Sequence, residues 1–109
     1  MKKKYKTKKK LASIERRKLL SKWSLSIRER DGWLCQVCGA TERLQAHHLL
    51  PKLKYKEYIY DLYNGITLCS RCHMFGRESA EGNALWWNQW LKKYKPEQYR
   101  IAINRIGDV

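Results

Sequence analysis

Apolar residues recur at helical spacing early in the chain, and this pattern predicts a helix over residues 12–30. The members of the apolar stripe are Leu19, Leu20, Trp23 and Ile27. Ser13 is a candidate N-cap, and Asp31-Gly32 has the composition of a terminating turn. The pattern allows either one helix or two helices broken near residues 21–26.

Two shorter segments predict strands. Residues 43–50 form the first, and Pro51 ends it because proline has no N–H group to donate to a sheet ladder. A turn at Asn64-Gly65 precedes the second strand, Ile66-Thr67-Leu68. A further helix is expected to start close to His73.

The C-terminal third of the chain predicts two helices. Residues 83–95 read as an amphipathic helix with Asn83 as a candidate N-cap. Pro96 opens a last short helix that runs to about Ile106 and is closed by Gly107.

Three tryptophans fall at helical spacing on apolar faces, namely Trp23, Trp86 and Trp90. We expect them in the core, because large rings at such positions are usually buried. The alternative is that they stack on exposed nucleic-acid bases. Trp87 is instead a candidate for a protein-binding face.

The charge of the chain is strongly positive and uneven. Its 109 residues include 24 Lys or Arg and 10 Asp or Glu, for a net charge of +14. Residues 1–30 hold 13 of the basic residues against Glu15 and Glu29, a net of +11. This density favours a polyanion partner, most commonly nucleic acid, over a tail that only aids solubility. We expect residues 1–10 to form a basic disordered arm and residues 11–109 a single domain.

The sequence predicts no membrane partner and a cytoplasmic location. No apolar run approaches the roughly 18 residues of a membrane span, and no secretory signal is recognisable. Cysteines in such a reducing compartment are more often metal ligands than disulfides.

The four cysteines of the chain form two close pairs, Cys35-x-x-Cys38 and Cys69-x-x-Cys72. Two intervening residues allow both thiolates of a turn to reach one tetrahedral ion, and four soft thiolates suit Zn²⁺. Because four thiolates fill the coordination shell, the site predicted here is a structural zinc. Buried free thiols or a redox pair are the alternatives.

All three histidines lie between or beside these cysteine pairs. His47 and His48 are adjacent on the first predicted strand, so their side chains should point to opposite faces. His73 follows the last cysteine, and Asn64 precedes the second strand. Each of these residues alone is compatible with an ordinary surface role, but their grouping between two metal-binding pairs indicates a functional site.

Three segments closely resemble the zinc-containing HNH endonucleases. These are RDGWLCQVCG at 30–39, LQAHHLLP at 44–51 and NGITLCSRCH at 64–73. The resemblance spans 28–77 and implies an α+β chain with a small ββα-metal (His-Me finger) core and a four-cysteine structural zinc. N- and C-terminal helices, the latter over 79–106, would flank this core. The C-terminal segment is also similar, more weakly, to small stand-alone HNH proteins of bacteriophages.

The resemblance assigns roles to residues of this chain. It implies that His48 is the general base, that Asn64 holds the loop orienting His48, and that His47 and His73 bind a catalytic divalent cation. Some family members carry a further histidine one helical turn after the position of His73, where this chain has Arg77, a residue that could contact phosphate. Two imidazoles are compatible with Mg²⁺, Mn²⁺, Ni²⁺ or Zn²⁺.

The expected function is therefore a metal-dependent endonuclease that hydrolyses DNA, as nicks or double-strand breaks, to 5′-phosphate and 3′-hydroxyl ends. The resemblance suggests phage DNA processing or packaging in the host cytoplasm, with double-stranded DNA and phage packaging proteins as partners. The candidate DNA-binding residues are Arg16, Arg17, Lys18, Arg28, Arg30, Arg71 and Arg77. The alternatives are a non-catalytic, zinc-stabilised nucleic-acid-binding module and an accessory subunit.

Overall fold

A computed structural model of the protein describes residues 7–107. The main elements are α1 (Lys8–Arg30), β1 (Leu44–His48), β2 (Gly65–Cys69), α2 (Ala84–Tyr94) and α3 (Pro96–Gly107). A single π-helical turn, Arg71–Phe75, follows β2, and short 3-10 turns occupy Lys56–Tyr58 and Leu62–Asn64. The predicted α+β class is confirmed: a two-stranded antiparallel sheet leads into a helical turn and is flanked by helices.

The first helix is continuous from Lys8 to Arg30 and starts earlier than residue 12. The Thr7 hydroxyl accepts a hydrogen bond from the Lys10 N–H at 3.2 Å, which caps the helix at that point. Lys8–Lys10 are therefore helical, although the sequence placed them in a disordered arm, and Ser13 lies inside the helix. Residues 1–6 of the predicted arm lie outside the described residues.

The apolar face of α1 packs on the start of β2. Trp23 and Ile27 are buried, while Leu19 at the edge of the stripe remains 42% exposed. A Cβ atom at Gly65 would lie 2.5 Å from the Trp23 ring and 2.6 Å from Ile27. Glycine at this position therefore permits the close approach of helix and strand.

The two strands pair from Leu44 opposite Cys69 to His48 opposite Gly65. Every residue of β2 is buried. Its apolar side chains pack in one cluster with residues of α2, namely Trp87, Trp90 and Leu91. The strand thus lies between α1 and α2, which explains why it is apolar and has no exposed face.

The chain reverses after the π-helical turn, and two backbone hydrogen bonds fix the reversal. The Ala80 N–H donates to the Cys72 carbonyl at 2.8 Å, and the Glu81 N–H donates to the His73 carbonyl at 2.9 Å. Asn83 then caps α2 by accepting a hydrogen bond from the Trp86 N–H at 3.1 Å, as predicted. This reversal places residues 80–81 beside His73.

Candidate metal and catalytic site

The four cysteines converge as the spacing predicts. Their sulfur atoms all lie within 4.8 Å of one another, and the Cys38 and Cys69 sulfurs are 3.6 Å apart. The first pair sits in a tight turn in which Gly39 has a positive φ of 77° and donates its N–H to the Cys35 carbonyl at 2.8 Å. The second pair comes from the end of β2 and the π-helical turn.

The chemistry of this cluster fits a tetrahedral metal ion. Bonds of about 2.3 Å to such an ion would place the sulfurs about 3.8 Å apart, close to the 3.6 Å between the Cys38 and Cys69 sulfurs. Burial raises the pKa of the Cys72 thiol, and the neighbouring cysteines raise it further. Clustered thiols therefore need a cation before they can all ionise. Three of the four are buried, so the cluster forms a closed, structural metal site.

Two of the predicted DNA-binding residues lie beside the cysteine cluster. Arg71 and Arg77 line a shallow cavity together with Cys38 and Cys72. The Cys38 sulfur is the main cause of a raised pKa for Arg71. Arg77 is exposed and does not line the histidine pocket, because the π-helical turn ends at Phe75 and the chain then changes direction. Arg77 therefore does not lie in the pocket with His73, and its contact with phosphate stays a prediction.

A second cluster of donor atoms consists of His47, His73 and Glu81, whose ligand atoms lie within 4.8 Å of one another. His47 comes from β1, His73 from the π-helical turn, and Glu81 from the loop before α2. His73 Nε2 lies 3.2 Å from a Glu81 carboxylate oxygen. Glu81, which is half exposed, is a possible ligand that the sequence did not predict.

The surroundings of His73 suit a bound cation. Its Nδ1 contacts the side-chain oxygen of Gln45, and its Nε2 faces the Glu81 carboxylate. A neutral imidazole has a single N–H. When Nδ1 donates that hydrogen to Gln45, the lone pair of Nε2 points towards the Glu81 carboxylate. A cation between Nε2 and the carboxylate oxygen could be coordinated by both atoms. A ligating histidine commonly donates its second nitrogen to an oxygen in this way.

The protonation state of His47 suits the same role. Burial, with smaller contributions from His73 and His48, lowers the pKa of His47 to about 3. The ring is therefore neutral near pH 7 and keeps a lone pair for a metal. It packs edge-on against Trp87 and His73, with ring centroids 5.6 and 4.8 Å away. Trp87 is buried in this contact, so the sequence-based idea that it forms a protein-binding face is wrong.

His48 points away from His47 and has a defined tautomer. Its Nε2 lies 2.9 Å from the carbonyl oxygen of Ile59. Because a carbonyl can only accept, Nε2 must carry the proton and Nδ1 is left as the basic nitrogen. Burial lowers the pKa of His48, and the charge of Lys52 lowers it further, against the opposing effect of the Ile59 hydrogen bond. The imidazole is thus largely neutral at pH 7.

The ring of Trp23 stacks on His48. The two centroids are 3.9 Å apart and the planes are inclined by 11°. Trp23 is 5% exposed, and its Nε1–H donates to the Asp61 carbonyl at 2.9 Å. A helix outside the two-stranded core therefore fixes one face of the His48 ring.

Asn64 joins the two ends of the loop that follows β1. Its Oδ1 accepts from the Leu50 N–H at 2.8 Å, and its Nδ2 donates to the carbonyls of Leu50 and Tyr58 at 3.3 and 3.1 Å. The side chain is 2% exposed. These bonds hold the backbone next to Ile59, whose carbonyl orients His48. The geometry agrees with the loop-holding role that the resemblance implied for Asn64.

The histidines and Glu81 share one pocket of about 580 Å³. His47, His48, His73 and Glu81 all contribute to its lining, as does the exposed Lys52. A metal-binding donor set and a largely neutral histidine therefore line the same pocket.

The remaining predicted DNA-binding residues divide into two sets. Arg16, Arg17 and Lys18 are exposed on α1, as expected for phosphate contacts. Arg28 instead lies 5.1 Å from the Trp33 ring centroid and donates to the Ser24 carbonyl at 3.3 Å.

Arg30 has a structural role as well. Its guanidinium donates to the carbonyls of Leu62 and Gly65 at 2.6 and 2.8 Å and pairs with Asp31 at 2.9 Å. These bonds join the end of α1 to the start of β2. Arg28 and Arg30 thus both make intramolecular contacts, and their role in DNA binding stays a prediction.

Comparison with known proteins agrees with this geometry. Residues 35–74 match the family model described as HNH endonuclease. The matched part of the chain contains both cysteine pairs and all three histidines, and the match confirms the resemblance to the HNH endonucleases. No curated protein and no solved structure gives a significant match. Glu81 and Trp23 lie outside the matched segment.

Among residues 7–107, no helix is both long and apolar enough to cross a membrane.

Proposed function

We propose that the protein is a metal-dependent endonuclease that hydrolyses DNA phosphodiester bonds, with His48 as the general base. The observation that carries the proposal is the pocket itself. Its lining combines His48 with the donor set of His47, His73 and Glu81. A module that only bound nucleic acid would need neither feature.

The chain's own groups account for proton transfer. His48 Nδ1 would accept a proton from a water molecule as that water attacks phosphorus, and the resulting imidazolium would be held by Ile59 through Nε2–H. Trp23 and Asn64 restrict the ring to one orientation, which lowers the entropy lost in reaching the transition state. Lys52, at the mouth of the pocket, would attract the phosphate.

The second cluster would hold the catalytic cation through His47, His73 and Glu81. When bound, the cation would supply positive charge to stabilise the phosphate oxygens in the transition state. Two imidazoles and one carboxylate suit Mn²⁺, Ni²⁺ or Zn²⁺ better than Mg²⁺, which prefers oxygen ligands. Zn²⁺ is the ion we propose for the cysteine cluster.

The finer parts of the function rest on the family resemblance. We propose 5′-phosphate and 3′-hydroxyl products, double-stranded DNA as substrate, and a role in phage DNA processing or packaging. The exposed basic face of α1 supports a DNA partner, and affinity should fall steeply with salt.

The direct test is supercoiled plasmid incubated with the protein and a panel of divalent cations, alongside His48→Ala. We expect wild type to nick or linearise the plasmid, and the variant to be slower by about 10²- to 10⁴-fold because the general base is lost. Metal content and thermal unfolding should stay near those of wild type. Equal cleavage by the variant would refute the assignment of His48, and absence of cleavage with every cation would refute the nuclease proposal for the isolated chain.

A further inference from the structure

A groove of about 690 Å³ runs between α1 and the loop that follows β1. Four cationic side chains line it: Arg16, Arg17, Lys52 and Lys56. No acidic side chain from the described part of the chain does so. The groove therefore has the charge of an anion-binding surface.

The groove adjoins the histidine pocket. Lys52 and Leu53 line both. Ile59 also links them, since its side chain lines the groove while its carbonyl oxygen accepts the hydrogen bond from His48. A polyanion bound in the groove would therefore lead directly to the proposed general base.

The remaining lining of the groove is apolar and aromatic. It includes Leu20, Leu53, Ile59 and Tyr60. Leu53 is 87% exposed and Tyr60 is 40% exposed. An intact duplex presents mainly phosphate and sugar to a groove on a protein surface, whereas unpaired nucleotides also present the faces of their bases. Apolar and aromatic side chains beside several cationic ones therefore suit unpaired nucleotides better than an intact duplex.

We propose that this groove binds unpaired nucleotides of the DNA strand next to the scissile phosphate, so that the preferred substrate is double-stranded DNA that contains a locally unpaired segment. This inference rests on the proposed nuclease function, and it narrows the substrate class. The cationic side chains would contact successive phosphates, and Tyr60 would stack on a base.

The test measures binding to three fluorescent DNAs: a short single strand, its matched duplex, and the same duplex with a central mismatched bubble. His48→Ala protein without added divalent cation prevents cleavage during the measurement. Tyr60→Ala removes the proposed stacking ring. Tyr63→Ala is the matched control, because Tyr63 is 49% exposed, lies three residues away and lines a different cavity.

We expect the single strand and the bubble to bind more tightly than the matched duplex. Tyr60→Ala should weaken binding to these two DNAs by about tenfold, as expected for loss of one base–aromatic contact, and leave duplex binding unchanged. Tyr63→Ala should change none of the three affinities. Thermal unfolding of both variants checks that the fold is retained.

Duplex binding as tight as single-strand binding would overturn the proposal, as would equal affinities for the two tyrosine variants. Cleavage by wild-type protein is assayed separately on the same DNAs. If wild-type protein cuts DNA but the His48→Ala protein binds the three DNAs equally, the groove proposal fails and the nuclease proposal stands. If binding shows the predicted preference but no DNA is cut, the groove proposal stands and the nuclease proposal fails.

Discussion

The cysteine cluster and the histidine pocket differ in how they relate to solvent and to the fold. Three of the four cysteines are buried, and all four sulfurs lie close enough together to coordinate a single ion. In the second cluster, Glu81 is half exposed and the donor set opens into a pocket. A filled shell holds the chain together, whereas an incomplete shell leaves room for a phosphate. Mutation of the cysteine cluster is therefore expected to impair folding, whereas mutation of the histidine pocket is expected to impair cleavage.

The largest expected effect follows from removing one thiolate. Cys72→Ser should lose the structural ion and with it cooperative unfolding, because structural zinc supplies on the order of 10 kcal/mol to small domains. Circular dichroism and metal analysis would measure this loss. The comparison variant is His73→Ala, one residue later, which should keep its fold and its cysteine-bound ion. A well-folded, metal-free Cys72→Ser protein would contradict the structural role of the cluster.

A smaller effect is expected when the open cluster loses its carboxylate. Glu81→Gln should raise the cation concentration needed for half-maximal cleavage by about 10- to 100-fold, since a metal ligand is weakened and the fold is unaffected. Glu78→Gln is the control, because Glu78 is exposed and lies on the side of the cysteine cluster. Identical cation dependence of the two variants would rule out Glu81 as a ligand.

The smallest effect concerns the ring that stacks on His48. Trp23→Leu should lower kcat by about tenfold with little change in KM, because the base is less well oriented. Trp23→Phe keeps an aromatic ring and should recover most of this loss. Ile27→Val serves as the control for general destabilisation, since Ile27 is buried on the same face of α1. A drop in kcat for Ile27→Val that matches Trp23→Leu would show that Trp23 acts only through stability.

Much of the fold could be predicted because its signals are local. Three of these signals depend only on residues that are close in the chain: the two Cys-x-x-Cys pairs, the Asn83 cap and the residue pattern of the two strands. The start of α1 was harder to predict, because the short Thr7 cap competes with the repulsion among successive lysines. The net charge of the segment does not show which of these two effects is larger.

The site was predicted less completely, because its last parts depend on tertiary structure. Glu81 lies eight residues after His73, and a continuous helix would place it about 12 Å further along the axis. It reaches the site only because backbone bonds reverse the chain after Phe75. Trp23 was predicted as a core residue, and it is buried, but its partner His48 is distant in sequence. Gly76 and Gly82 flank this reversal, but two glycines indicate only that the chain can turn and not which residues the turn brings together.

The central claim is that one closed site holds the fold while a separate open site supports catalysis. The most direct measurement follows metal content, circular dichroism and plasmid cleavage in the same sample, before and after mild chelation and after adding back Mn²⁺. We predict that chelation abolishes cleavage while the cysteine-bound ion and the fold persist, and that Mn²⁺ restores activity. The claim would be contradicted if cleavage were lost only under conditions that also unfold the protein. Cleavage that continues when the cysteine-bound ion is the sole metal present would contradict it as well.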